Sequence, residues 1–191
     1  MGSTLNISSV CLVGDSLINS LDVKEVAYSM KANIKTARAY STLDVSENEA
    51  HLASKLPERN YQAVVDTELV SKEHDLLVLQ SCAQDILNFK THKSNVKNYT
   101  EYIKQQTVVA AQNLFSVAQH SLQSCPKLKK VIIMKQVPRY DSSKSDLFKM
   151  KDGLVKLYTD TLLECKATSP FNHKIFIGSH SLDCTGGVRE S

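Results

Sequence analysis

The 191-residue sequence contains no tryptophan, and only four prolines and six glycines are spread along it. It has no RNA-binding motif with stacking aromatics. No stretch approaches the ~18 uninterrupted apolar residues of a spanning helix, so no membrane association is expected. The first nine residues lack a basic start followed by an apolar run, and no secretory signal is visible there. The five cysteines (Cys11, Cys82, Cys125, Cys165 and Cys184) include no close pair. Metal ligands would have to cluster at short spacing, so no metal is expected, and no cofactor is implied either. An odd cysteine count, with Cys11 and Cys82 in strand stretches, reads as reduced thiols in a cytoplasmic protein. Charge is nearly balanced, at 23 Lys and Arg against 20 Asp and Glu. That balance is no argument for nucleic-acid binding. Without internal repeat, linker or low-complexity tract, the chain reads as one domain over residues 1–191.

What is present is an alternation of short β runs with longer helical stretches, which predicts a mostly parallel sheet covered on both faces. Strands are predicted at Ser9–Val13, Ile34–Tyr40, Asp75–Ser81, Lys130–Lys135 and His173–Gly178. Asp22-Val23-Lys24-Glu25 has the form of a capping box, followed by Val26, Ala27 and Met30 on one helical face. Pro57 to Lys72 reads as a helix through Tyr61, Val64, Val65 and Leu69. Tyr99 to Gln123 reads as a long helix whose core stripe is Ile103, Ala110, Leu114, Val117 and Leu122. Ser145 to Cys165 is the next, with Leu147, Met150, Leu154, Leu157 and Thr161. Five strands and about four helices in this order give a three-layer α/β/α sandwich, flavodoxin-like in plan.

Val13-Gly14-Asp15-Ser16-Leu17 stands where the first strand hands over to the first helix. Sites in open parallel sheets gather at the carboxyl ends of strands. A serine there lies near a helix N-terminus, whose free N–H groups can stabilise a developing negative charge. Gly14 permits a tight turn and Asp15 can hydrogen-bond the local backbone. A simple helix cap by Asp15 or Ser16 is the competing explanation, since both are favoured N-cap residues.

Gly14-Asp15-Ser16-Leu17 resembles the GDSL motif of the SGNH hydrolases, at the place near the N-terminus where that family carries it. Leu77-Val78-Leu79-Gln80-Ser81-Cys82-Ala83-Gln84-Asp85-Ile86 is similar to the family's third strand and its Gly-x-Asn-Asp block. Asp85 matches, Cys82 stands for the glycine and Gln84 for the asparagine, keeping a carboxamide donor. Val137-Pro138-Arg139 also resembles family members after the fourth strand. The resemblance spans residues 7–183 and implies an SGNH-like fold and acyl transfer. Ser16 would be the nucleophile and its N–H an oxyanion donor, with Gln84 supplying a second donor. Where the family has a glycine after strand two, Arg38-Ala39-Tyr40-Ser41 stands here, and the Ala39 N–H is the candidate donor.

The family's Asp-x-x-His block does not occur after strand five. His180-Ser181-Leu182-Asp183 lies there in reverse order, making His180 the candidate base and Asp183 its orienter, against a reading as solvated loop. The absent block and last helix imply either a continuation beyond Ser191 that carries the base or abandoned chemistry, and a weak enzyme in the chain as it stands. Loss of one triad member costs on the order of 10⁴-fold in rate. A small ester is the implied substrate. The alternative is an inactive hydrolase-fold domain binding a protein or RNA, as implied by a resemblance to retroelement esterase-like domains. Its candidate contacts are two basic runs, Lys90, His92, Lys93 and Lys97, and Lys127, Lys129, Lys130, Lys135 and Arg139. Solvated surface is the plainer account of both.

Overall fold

The computed structural model describes residues 6–14, 23–39, 42, 60–70, 74–81, 99–135 and 146–178. Among them are strands β1 (Ser9–Gly14), β2 (Asn33–Arg38), β3 (Leu76–Gln80), β4 (Lys130–Met134) and β5 (Ile175–Gly178). The helices are α1 (Val23–Met30), α2 (Tyr61–Val70), α3 (Tyr99–Ser124) and α4 (Asp146–Thr168). Every strand pairing is parallel, in the order β2-β1-β3-β4-β5. The single parallel sheet expected from the βα alternation is therefore present.

Boundaries move for local reasons. The Asp75 carboxylate accepts the backbone N–H groups of Ser8 and Ser9, which holds it as a corner ahead of β3. His173 and Lys174 belong to a turn closed by Lys174 N–H donating to the Phe171 carbonyl at 2.8 Å, so β5 starts at Ile175. Asn60 Oδ1 accepts the Gln62 N–H at 2.9 Å and caps α2, which begins at Tyr61 rather than Pro57. β2 ends at Arg38 rather than Tyr40.

The crossover from β1 to β2 runs one way along the sheet and the other three run the opposite way. Right-handed connections therefore put α1 on one face and α2, α3 and α4 on the other. Alternate side chains obey this division. Cys11, Val13, Leu77, Leu79, Val131, Ile133 and Ile175 share a core with Tyr61, Val65, Ile103, Leu114, Tyr158 and Leu162. Val10 and Leu76 cluster with Ala32 on the opposite face, backed by Ile34, Val78 and Ile132. Burial on both faces is why β1 and β3 read as continuous apolar runs.

On α3 the whole expected stripe, Ile103, Ala110, Leu114, Val117 and Leu122, is buried. The buried hydroxyls of Thr107 and Ser121 donate to the carbonyls of Ile103 and Val117, one turn back. On α4, Leu154 and Thr161 are buried as expected, but Leu157 is half-buried and Val155, Tyr158 and Leu162 carry the packing. The buried face is rotated toward the sheet, leaving Leu157 on the seam with α3. Full burial of a side chain such as Leu162 contributes roughly 1.5–3 kcal/mol. The expected core side chains Val26, Met30, Leu69, Leu147 and Met150 lie outside the described set. α4 continues past Cys165 to Thr168. Beyond it Ser169 Oγ accepts from the Phe171 N–H and from Gln119 Nε2 at 2.9 Å, tying the end of α4 to α3.

Candidate functional site

Five parallel strands bring five chain ends to one edge. Register places Gly14 beside Arg38, and aligns Gln80, Met134 and Gly178 across β3, β4 and β5. Because Val13 pairs with Leu79, the same register puts Gly14 beside Gln80. Only Asp15 separates Gly14 from Ser16, so the motif begins at the carboxyl edge, between β2 and β3.

Hydrogen bonds fix this edge. The Ala39 N–H donates to the Gly14 carbonyl at 2.9 Å. That amide, the candidate oxyanion donor of β2, is engaged in the sheet ladder, and a donor from this side would have to come from a later residue. The buried Tyr61 hydroxyl donates to the Gln80 carbonyl at 2.6 Å. Ser81 is fully buried and gives both its N–H and its hydroxyl to the Met134 carbonyl. Beyond β2, buried Thr42 donates to the Ala110 carbonyl at 3.0 Å and accepts from Asn113 Nδ2 at 2.8 Å. α3 is thereby anchored beside the chain leaving β2.

Gln80 is the polar surprise of the edge. Strand alternation points it to the α1 face, in line with Gly14, and it is only 7% exposed. Its Oε1 is buried and has no hydrogen-bond partner among the described residues. An unpaired buried acceptor costs about 1–3 kcal/mol, so the position asks for a donor. The sequence pattern marks Gln80 only as a strand residue within Asp75–Ser81. The available signal was a carboxamide and a hydroxyl closing the apolar run Leu76–Leu79.

Asp15, Ser16, Gln84, Asp85, His180 and Asp183 lie outside the described residues. The topology still bears on His180. β5 is three strands from β1, about 14 Å at about 4.8 Å per strand, with β3 and β4 between them. The ends of β4 and β3 both stand between the carboxyl end of β5 and that of β1.

The opposite, amino edge carries a second polar cluster. Ser9 Oγ and His74 Nδ1 are 2.8 Å apart, and His74 is 4% exposed. Asp75 Oδ2 accepts from Ser8 N–H and Oγ and from Ser9 N–H, while Lys129 Nζ lies 2.7 Å from Oδ1. The Lys129 bond and the Ser8 bonds hold the Asp75 carboxyl well below the usual carboxylate range. This cluster joins strand entrances, away from the carboxyl edge where parallel sheets bind ligands. Buried Cys11 is no nucleophile, since burial pushes its thiol up to about 12.

The second basic run is divided by β4. Lys129 also donates to the Asn6 carbonyl, and Lys130 lies 4.6 Å from the centre of the Phe176 ring. Lys135 sits at the other end of the strand, roughly 17 Å from Lys130 at ~3.3 Å per residue. The run Lys90–Lys97, together with Arg139, Cys82 and Cys184, lies outside the described residues. Among the described residues, no group of three His, Cys, Asp or Glu is arranged to hold a metal ion, and no helix is long and apolar enough to cross a membrane.

The sequence matches no protein-family model and no curated protein. In three dimensions the chain is similar to the lipase Lip_vut3 from a goat rumen metagenome, with a TM-score of 0.54 and 14% identity over 89% of this chain and 79% of that one. The acetyl xylan esterase AlAXEase aligns at a TM-score of 0.48 and 10% identity, over 90% of this chain and 76% of the esterase. An acetylxylan esterase from Geobacillus stearothermophilus gives 0.43 and 13%, over 83% and 73%. The likeness to the lipase establishes a shared fold: an α/β domain with a five-stranded parallel sheet and flanking helices.

Proposed function

We propose that this chain is a serine ester hydrolase of the SGNH type, acting slowly on a small acyl ester. The observation that supports it is the delivery of Gly14 by buried β1 to the carboxyl edge of a parallel sheet, between β2 and β3, one residue ahead of Asp15-Ser16. In this reading Ser16 Oγ attacks the ester carbonyl and His180, oriented by Asp183, takes its proton. The tetrahedral oxyanion is held by the Ser16 N–H and the Gln84 carboxamide, with Asp85 supporting the loop. The oxyanion collapses with loss of the alcohol, His180 returns the proton to it, and water then releases the acid from Ser16. The rate should be low, because His180 and Asp183 stand in the reverse of the family's order and the Ala39 N–H already serves the ladder.

The test is hydrolysis of p-nitrophenyl acetate by the purified chain. Slow turnover should vanish in Ser16→Ala and fall in His180→Ala. A rate that Ser16→Ala leaves unchanged would reduce Ser16 to a helix cap and remove the reading.

A further inference from the structure

We propose that the seam between the N-terminal halves of α3 and α4 is a binding groove for a linear aliphatic carboxylate. A cavity of about 400 Å³ opens there, lined by Thr100, Ile103, Lys104, Gly153, Leu154 and Leu157. That volume suits a small molecule, for which pockets of roughly 300–1,000 Å³ are usual. Its floor is apolar: Ile103 is 2% and Leu154 5% exposed, with Leu157 half-buried beside them. Thr100, Lys104 and Gly153 form the exposed rim.

Packed helices ordinarily close such a seam by interdigitating side chains. At Gly153 there is none, and a Cβ built on it would meet nothing within 4 Å. Among the described residues, none occupies the space that this glycine leaves. The glycine also weakens the helix relative to alanine. The open volume and the half-buried Leu157 turned toward it have one common account, a guest that completes the packing.

The chemistry of the walls selects that guest. All three floor residues are aliphatic, with no ring on which a flat ligand could stack, and the groove follows two helices, which suits an extended chain. Among the described lining residues, the charged one is Lys104. Its acidic neighbour Glu101 is 3.9 Å away with both side chains more than half exposed, a weak pair that a ligand carboxylate can replace. A cationic amphiphile would meet Lys104 unfavourably. Binding here needs no catalysis and does not rest on Ser16.

The experiment is isothermal titration of the full chain with hexanoate, octanoate and decanoate below their micellar concentrations. Affinity should rise about four-fold per added methylene until the groove is filled. Decanol should bind more weakly than decanoate, and Lys104→Glu should erase that preference. Gly153→Leu, which fills the groove, and Leu157→Glu, which puts a like charge in it, should each abolish decanoate binding. Ser16→Ala should bind as the parent does. Thermal unfolding identifies whichever variant remains folded, and one folded variant decides the matter. No decanoate binding by the parent, or binding that a folded Gly153→Leu or Leu157→Glu leaves intact, would overturn the proposal.

Discussion

Lys129 Nζ and Asp75 Oδ1 stand 2.7 Å apart at the amino edge of the sheet, and the other oxygen of the same carboxylate takes three donors from Ser8 and Ser9. One side chain thus joins the entrances of β1, β3 and β4. Its carboxyl is held below the usual range, so the unfolded chain binds the proton more readily than the folded one. The resulting stability is present above the unfolded value, ~3.9, and is lost as pH falls from there through the folded value. Asp75→Asn should destabilise the fold by about 1–3 kcal/mol at neutral pH. Urea unfolding at pH 7, 4 and 2.5 should show the gap between parent and variant closing with acid. A constant gap would mean that packing rather than charge explains the loss.

His74 predicts a second, separate acid dependence. Burial lowers its pKa, while Glu68 and Asp75 raise it and Lys35 lowers it, and the net direction is down. Its Nε2 is buried with no partner among the described residues, so the neutral ring is the form the fold accepts. Stability from the neutral ring is complete above the unfolded value, ~6.5, and is lost as pH falls through it toward the folded value. Between pH 7 and 5 the parent should lose stability and His74→Phe should not, as read by denaturant midpoints. Equal loss in both would assign that range to another group.

How much of this was legible in the sequence depends on distance along the chain. β1 and β3 could be read because a strand buried on both faces leaves a continuous apolar run, and β4 because Val131, Ile132 and Ile133 are apolar on both. β2 is an edge strand with a mixed burial pattern, and its limits moved by one or two residues. The α3 stripe was readable since all five of its residues are buried on one helical face. α4 answers to both the sheet and α3, and periodicity cannot tell which of two adjacent faces goes deepest. The motif at Gly14 was visible as local sequence. The bonds that brace its edge were not: Ser81 and Met134 are 53 residues apart, and Asn113 and Thr42 are 71 apart. Nothing in a local pattern records such partners.

Gly153 offers the plainest stability gain. It lies inside α4 on the exposed side, and the space around it admits a methyl group without contact. Gly153→Ala should stabilise the fold by about 0.5–1 kcal/mol, through helix propensity and a less flexible unfolded chain. Thermal unfolding measures it, and a lowered midpoint would mean that the backbone there needs glycine.

Gln80 sets stability against function. Its Oε1 is buried with no partner among the described residues while its backbone carbonyl is held by Tyr61, so the side chain cannot escape its position by moving the strand. Methionine is close in length and shape and leaves no acceptor unsatisfied. Replacing an unpaired buried polar group with such an isostere should be neutral or stabilising, by up to about 1–3 kcal/mol. If the carboxamide were only a packing element, Gln80→Met would be a gain without cost. Its place beside Gly14 on the carboxyl edge argues otherwise. The expected outcome is a higher unfolding midpoint together with a lower Ser16-dependent rate on p-nitrophenyl acetate. Gln80→Glu tests the same acceptor in another way, since it keeps the oxygen but buries a charge, and it should lose both stability and rate. A Gln80→Met protein that is more stable and equally active would show that the orphaned oxygen serves no ligand, and that the edge beside Gly14 tolerates an apolar floor.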